Sequence, residues 1–100
     1  MYISKIETIH VNEFSNILFV QIHTNNGLIG LGETYYTPKT ATAFIHEVLA
    51  QQLLGSNPLD IEGHWRRLYD STHVYGNRGT ELRAISAIDV ALWDLFGQHS

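Results

Sequence analysis

The apolar positions of this 100-residue chain change their period near residue 36. Before that point they follow strand patterns. Ile17 to Thr24 sets Leu18, Val20 and Ile22 on one face and alternates as a half-buried strand does. Tyr2 to Val11 is rich in Ile and Thr and also reads as a strand. Its alternation is imperfect, because Ile3, Ile9 and Val11 share a face with Lys5 and Glu7, so both faces are expected to be partly covered. Asn26-Gly27 then suits a two-residue hairpin turn, since both residues tolerate positive φ. That turn sets Thr24 opposite Ile29, Ile22 opposite Leu31 and Val20 opposite Glu33. Glu33 thereby falls on the apolar face. Gly30 and Gly32 fall on the other face, where another backbone can approach closely.

After residue 36 the steps become three and four. Thr37-Pro38 offers an N-cap hydroxyl and a proline at the first helical position. Ala41, Phe44, Ile45, Val48, Leu49 and Leu53 make the buried stripe of this first helix, and Gly55 ends it. Asn57-Pro58 starts a second helix, with Asp60 and Glu62 at its positive end and a buried stripe of Ile61, Trp65, Leu68 and Tyr69. Glu62 and Arg66 have the spacing of a helical ion pair. Residues 73 to 79 read as a loop, and a third helix runs from about Thr80 to Phe96, with Gly97 as its stop. Strands grouped before helices predict an α+β fold, a three-stranded antiparallel meander followed by three helices on one face of the sheet.

The third helix is apolar almost all round. Ile85, Ile88, Leu92 and Leu95 form one stripe, and Ala84, Ala87, Ala91 and Trp93 cover much of the rest. Such a helix needs burial on more than one side, and a chain this size buries only about two-thirds of its unfolded surface. The expectation is one domain, residues 1–100, that belongs to something larger.

Composition removes several function classes. Net charge is −4 with six Lys and Arg and no basic cluster, so no phosphate-neutralising nucleic-acid surface is present. There is no cysteine for a disulfide scaffold or thiolate chemistry. No apolar run approaches membrane-spanning length, and the N-terminus does not read as a signal peptide. Together these point to a cytoplasmic protein with neither membrane nor nucleic-acid partners.

Candidate chemistry is sparse. His10, His23, His46, His64, His73 and His99 are scattered, with no ligand spacing, so no metal site is expected within the chain. Asp89 and Asp94 stand out as carboxylates in the most apolar helix, where they must be paired or hydrogen-bonded. Five residues apart they point in different directions, which favours structural anchors, bonded to a neighbouring domain or to the loop that follows, over a shared metal. Glu33 reads as a carboxylate facing a helix N-terminus, with a polar contact near a ligand as the alternative. Phe14, Tyr35, Tyr36, Tyr75, Asn77 and Arg78 lie in predicted loops. No nucleophile elbow is present, and the glycines lie in a hairpin rather than between a strand and a helix. No catalytic residue is expected in these 100 positions.

The segment Ala84-Ile-Ser-Ala-Ile-Asp89-Val-Ala-Leu-Trp93-Asp94-Leu-Phe-Gly97-Gln98 resembles the first signature of the mandelate racemase/muconate lactonizing branch of the enolase superfamily. The resemblance implies an amino-terminal capping domain, truncated before the (β/α) barrel that carries the chemistry. It implies a parent enzyme whose barrel binds magnesium (Mg2+) and supplies the bases. The shared step would be removal of the proton α to a substrate carboxylate, giving a metal-stabilised enediolate. The partners implied are that C-terminal barrel domain and a small carboxylate substrate. A homo-oligomer is also implied, although no self-complementary patch is visible in the sequence. In such enzymes the loop after the first strand and the segment after the third close over the substrate, which makes Phe14, Tyr35 and Tyr36 lid candidates. Arg78 is a further candidate for a substrate carboxylate or hydroxyl. The Tyr- and Asn-rich segments suit a hydroxylated substrate, hence an acid-sugar dehydratase. The alternative is a stand-alone α+β binding or interaction domain without catalysis.

Overall fold

A computed structural model describes residues 1–11, 16–35, 37–72 and 79–100. Three strands, β1 (Ile3–His10), β2 (Ile17–Thr24) and β3 (Ile29–Tyr35), form one antiparallel sheet in the order β1-β2-β3. Three helices follow. Helix α1 runs through Pro38–Phe44, Ile45–Leu49 and Ala50–Leu53, α2 is Ile61–Ser71, and α3 is Gly79–His99. The α+β meander-then-helices architecture expected from the periodicities is the one observed.

Ile6, Leu18, Val20 and Ile22 pack under the helices in one core with Ile45, Leu49, Leu53, Ile85, Ile88, Leu92 and Leu95. The imperfect alternation of β1 has a local cause: the pairing register shifts between Ile3 and Lys5, as at a bulge. Ile3 is thereby brought onto the core side with Ile6.

The β2–β3 hairpin differs from the expected one by a single residue. Its loop has three residues, Asn25 to Gly27. The Gly27 N–H donates to the Thr24 carbonyl at 3.2 Å, the Thr24 N–H donates to the Leu28 carbonyl at 3.0 Å, and Gly27 has φ +88°. This is a turn closed by a left-handed glycine, a loop one residue longer than the Asn26-Gly27 turn. Thr24 favours it, since its buried hydroxyl accepts the Leu28 N–H at 3.0 Å and donates to Asn26 Oδ1 at 2.5 Å. Ile22 therefore faces Gly30 and Val20 faces Gly32. A one-residue slip exchanges the two faces of a strand. Ile29, Leu31, Glu33 and Tyr35 accordingly lie on the open face, so Glu33 is not on the apolar one.

Gly30 and Gly32 lie under α3. A Cβ on Gly30 would collide with the Ala91 carbonyl oxygen, and one on Gly32 with the Ala87 carbonyl oxygen. Ala87 and Ala91 complete the small surface that lets the helix backbone rest against the strand. The close approach expected at these glycines is present, on the buried face.

Helix α1 buries Ala41, Ile45, Leu49 and Leu53, each four residues from the last. In a regular α-helix every such step overshoots a turn by ~40°. The stretch Ile45–Leu49 is π-helical, and its wider turns absorb that drift, with the Ala50 N–H donating to the Ile45 carbonyl. Pro38 starts the helix as expected, but Thr37 does not cap it. Thr37 has φ +38° and makes no side-chain cap bond, and its hydroxyl lies 3.2 Å from Thr80 Oγ1 on α3. Gly55, at φ +83°, turns the chain out of α1, and its N–H donates to the Ile3 carbonyl at 2.8 Å.

Helix α2 begins at Ile61, later than expected. Asn57 Oδ1 accepts the Leu59 N–H at 2.9 Å, which makes Asn57-Pro58 a turn before the helix. Its buried stripe is Ile61, His64 and Leu68, not Trp65. His64 satisfies both ring nitrogens inside: Nε2 lies 2.7 Å from the Asn57 carbonyl and Nδ1 3.1 Å from Arg67. Trp65 turns outward and stacks on Tyr69 at 4.9 Å. Arg67 pairs with Asp60 at 3.0 Å and holds that carboxyl below its ordinary range. The expected pair of Glu62 with Arg66 is absent among the described ion pairs.

Helix α3 continues through Gly97 to His99, so Gly97 is not its stop. The last turn is held by Gln98, whose Nε2 donates to the Ile29 carbonyl at 2.7 Å and to Asp94 Oδ2 at 3.2 Å.

Candidate functional site

One end of the sheet gathers the described flanks of every lid candidate. His10 ends β1 beside Leu18, and Ile17 begins β2 beside Tyr35, the last residue of β3. The Thr37–Thr80 contact ties the segment after β3 to the first turn of α3. The chain ends that border residues 12–15 and Tyr36 thus lie in one neighbourhood, and Thr80, which follows residues 73–78, reaches it through Thr37. Phe14, Tyr36 and Arg78, with Tyr75 and Asn77, lie outside the described residues.

Tyr35 is the lid candidate that the structure places. It is half-exposed on the open sheet face and donates its hydroxyl hydrogen to Glu33 Oε1 at 3.1 Å. That hydrogen bond and the charge of Glu33 raise the phenol above the ordinary tyrosine range. The ring is neutral at physiological pH and presents a fixed hydroxyl beside a carboxylate, a pairing suited to polyhydroxylated molecules. Glu33 thus serves Tyr35 rather than a helix N-terminus. The spacing Glu33-Thr-Tyr35 was the available signal, because residues two apart share a face of a strand.

The two carboxylates of α3 have different settings. Asp94 Oδ2 accepts the Leu31 N–H at 2.8 Å. With Gln98 on the Ile29 carbonyl, it covers the outer edge of β3, where backbone groups have no strand to pair with. Asp94 is therefore an anchor, to this domain's own sheet. Asp94→Ala is expected to lower stability by about 1–2 kcal/mol, the lower range for a bond to a charged acceptor at an exposed site. Amide exchange at Leu31 should accelerate in parallel. An unchanged Leu31 exchange rate would show that the edge does not depend on this carboxylate.

Asp89 faces a groove of about 390 Å³ between α2 and α3, lined also by Ile61, Glu62, Trp65, Arg66 and Trp93. Burial raises its carboxyl above the ordinary range. Sequence reasoning placed Asp89 with Asp94 but did not find this groove, because Trp65 was assigned to the core.

The histidines are dispersed. His64 is buried, His46 Nε2 lies 2.9 Å from Thr8 Oγ1, and His23 Nε2 lies 2.7 Å from Glu7 Oε1 on the open sheet face, while His73 lies outside the described residues. Among the described residues no three His, Asp or Glu side chains converge on one point, and no helix is long and apolar enough to cross a membrane.

Comparison with known proteins places this geometry. The family model described as mandelate racemase/muconate lactonizing enzyme, N-terminal domain, matches residues 5–100. The chain is 35% identical over 82 residues to D-galactarolactone cycloisomerase of Agrobacterium fabrum, covering 82% of this chain and 21% of that protein. It is 38% identical over 82 residues to L-rhamnonate dehydratase of Saccharopolyspora erythraea, covering 81% of this chain and 20% of that one. An enolase of the mandelate racemase subgroup from Agrobacterium tumefaciens superposes with a TM-score of 0.90 at 38% identity, over 99% of this chain and 27% of its own. A racemase from Streptomyces coelicolor with bound magnesium gives 0.89 at 30% identity, over 97% and 30%. The chain therefore spans about a fifth to a third of the length of these proteins. It belongs to the N-terminal domain family of the mandelate racemase/muconate lactonizing enzymes, within the enolase superfamily.

Proposed function

We propose that this domain is the cap of a two-domain, magnesium-dependent enzyme, and that the enzyme dehydrates a sugar acid in the cytoplasm. The reading rests on the family match along residues 5–100, together with relatives that act on sugar acids and their lactones. In this reading the metal and the bases belong to a C-terminal barrel, whose active site would lie at its mouth. When bound there, magnesium would stabilise the negative charge that develops on the substrate carboxylate.

The cap's share is binding and exclusion of water. Tyr35, with Phe14 and Tyr36 on the segments that border the same end of the sheet, closes over the substrate. Tyr35 and Glu33 offer a hydroxyl and a carboxylate to the substrate's hydroxyl groups. Arg78 offers a guanidinium to its carboxylate. Water leaves the closed site, and the electrostatic contacts inside it strengthen. The reaction removes the proton α to the carboxylate and expels the β-hydroxyl as water, leaving a 2-keto-3-deoxy acid. Cycloisomerisation of a sugar-acid lactone is the second reading, favoured by the 35% identity to D-galactarolactone cycloisomerase.

The full-length protein should be screened against aldonic and aldaric acids and their lactones with magnesium present. A carbonyl reagent detects the keto product and proton NMR detects ring isomerisation. Turnover of none of them would overturn the reading. Tyr35→Phe and Tyr36→Ala are expected to lower kcat/KM at least about tenfold, a loss of about 1.4 kcal/mol in the transition state, with little change in Tm. Unchanged turnover and substrate preference in both would remove these residues from the lid.

A further inference from the structure

The outer side of α3 is bare. Val90, Trp93 and Phe96 are 51%, 53% and 44% exposed, and Trp65 of α2 is 42% exposed across the groove. Trp93 and Phe96 pack edge to face at 5.5 Å, which makes the patch a preformed surface rather than scattered side chains. Asp89 lines the same groove as the two tryptophans. No hydrogen bond or ion pair reaches Asp89 among the described residues, and burial already disfavours its charge. Covering this patch would desolvate the carboxylate further, and a covered carboxylate needs a cationic or donor partner. The groove holds two carboxylates, Asp89 and Glu62, against one guanidinium, Arg66, which forms no ion pair with either among the described residues. Indole faces attract cations as well. Apolar walls and a surplus negative charge together describe a slot for an arginine or lysine side chain carried on an apolar surface.

We propose that the C-terminal domain of the same polypeptide seats on this face and places one cationic side chain between Trp65 and Trp93, against Asp89. The proposal rests on the cap reading, and relatives about three to four times the length of this chain leave room for such a domain. Trp93 and Phe96 lie in the final two turns of α3, the part of the cap nearest in sequence to that domain.

Carboxylate labelling of the native full-length protein tests it. A water-soluble carbodiimide and glycine ethyl ester are applied and read by peptide mass spectrometry. Asp89 is expected to label at least about tenfold more slowly than exposed Asp70, and equally slowly after dilution to the monomer. Asp89→Asn removes the attraction and Asp89→Lys reverses it. Both are expected to speed labelling of Glu62 severalfold while far-UV circular dichroism stays native. Arg66→Gln is expected to leave Asp89 protected. Labelling of Asp89 as fast as Asp70 overturns the proposal. Loss of protection on dilution overturns it in favour of a second copy of the chain. A Glu62 rate unaffected by both Asp89 variants, or exposure of Asp89 in Arg66→Gln, overturns the external cation. Failure of the cap reading looks different: a protein that protects Asp89 but turns over no sugar acid loses its proposed reaction and keeps this interface.

Discussion

Gly32→Val is expected to lift α3 from the sheet and lower stability by at least about 3 kcal/mol, the upper range for overpacking, because the obstacle is backbone. A Cβ at this position meets the Ala87 carbonyl oxygen, and a carbonyl inside a helix cannot rotate away as a side-chain tip can. The only relief is to move the whole helix. Such a movement opens the seam where Ala87 and Ala91 touch the strand and loosens Ile88 and Leu95 in the core. Small domains have a total stability of about 5–15 kcal/mol, so this loss takes a large share. Urea unfolding followed by near-ultraviolet circular dichroism measures it. Gly97→Ala is the control: the site is in the same helix, with nothing near its added methyl, and should be neutral or gain up to about 1 kcal/mol. Equal midpoints for Gly32→Val and wild type would mean that the helix does not rest on β3 as described.

Ile88→Ala should cost about 2–5 kcal/mol, the range for emptying a fully enclosed aliphatic site. Ile88 is completely buried within the cluster that joins α3 to the sheet and to α1. The cluster around it is drawn from the sheet and from the other helices, whose side chains are themselves enclosed and cannot collapse freely into the space. Ser86→Ala, on the exposed side of the same helix, should change the midpoint by no more than about 0.5 kcal/mol. The contrast between the two substitutions measures how one-sided the burial of α3 is. Comparable small effects at both positions would contradict the packing.

The site was less legible than the fold. Of the lid candidates, Tyr35 is placed by the structure, and its partner Glu33 was read on the wrong face. The cause was local and small. Asn25-Asn26-Gly27 supports a two-residue or a three-residue loop, and the choice shifts every cross-strand pair by one. Helical spacing and a large apolar surface assign Trp65 to the buried stripe, whereas His64, which takes that place, reads with the other histidines as a surface or packing residue. The turn at Asn57, however, brought a carbonyl within reach of His64 and left no cover over Trp65. The groove at Asp89 follows from the outward turn of Trp65.

The order of elements, the strand and helix periods, and the family motif from Ala84 to Gln98 were written in the sequence, because each depends on residues near one another along the chain. An α3 apolar on too many sides was also legible there, and Val90, Trp93 and Phe96 are indeed uncovered. The tertiary structure decided which apolar side is covered, which glycines receive a helix, and which carboxylate secures an edge and which faces a groove. Those outcomes depend on distances between residues tens of positions apart, such as Leu31 and Asp94 or Gly32 and Ala87, and no local pattern contains them.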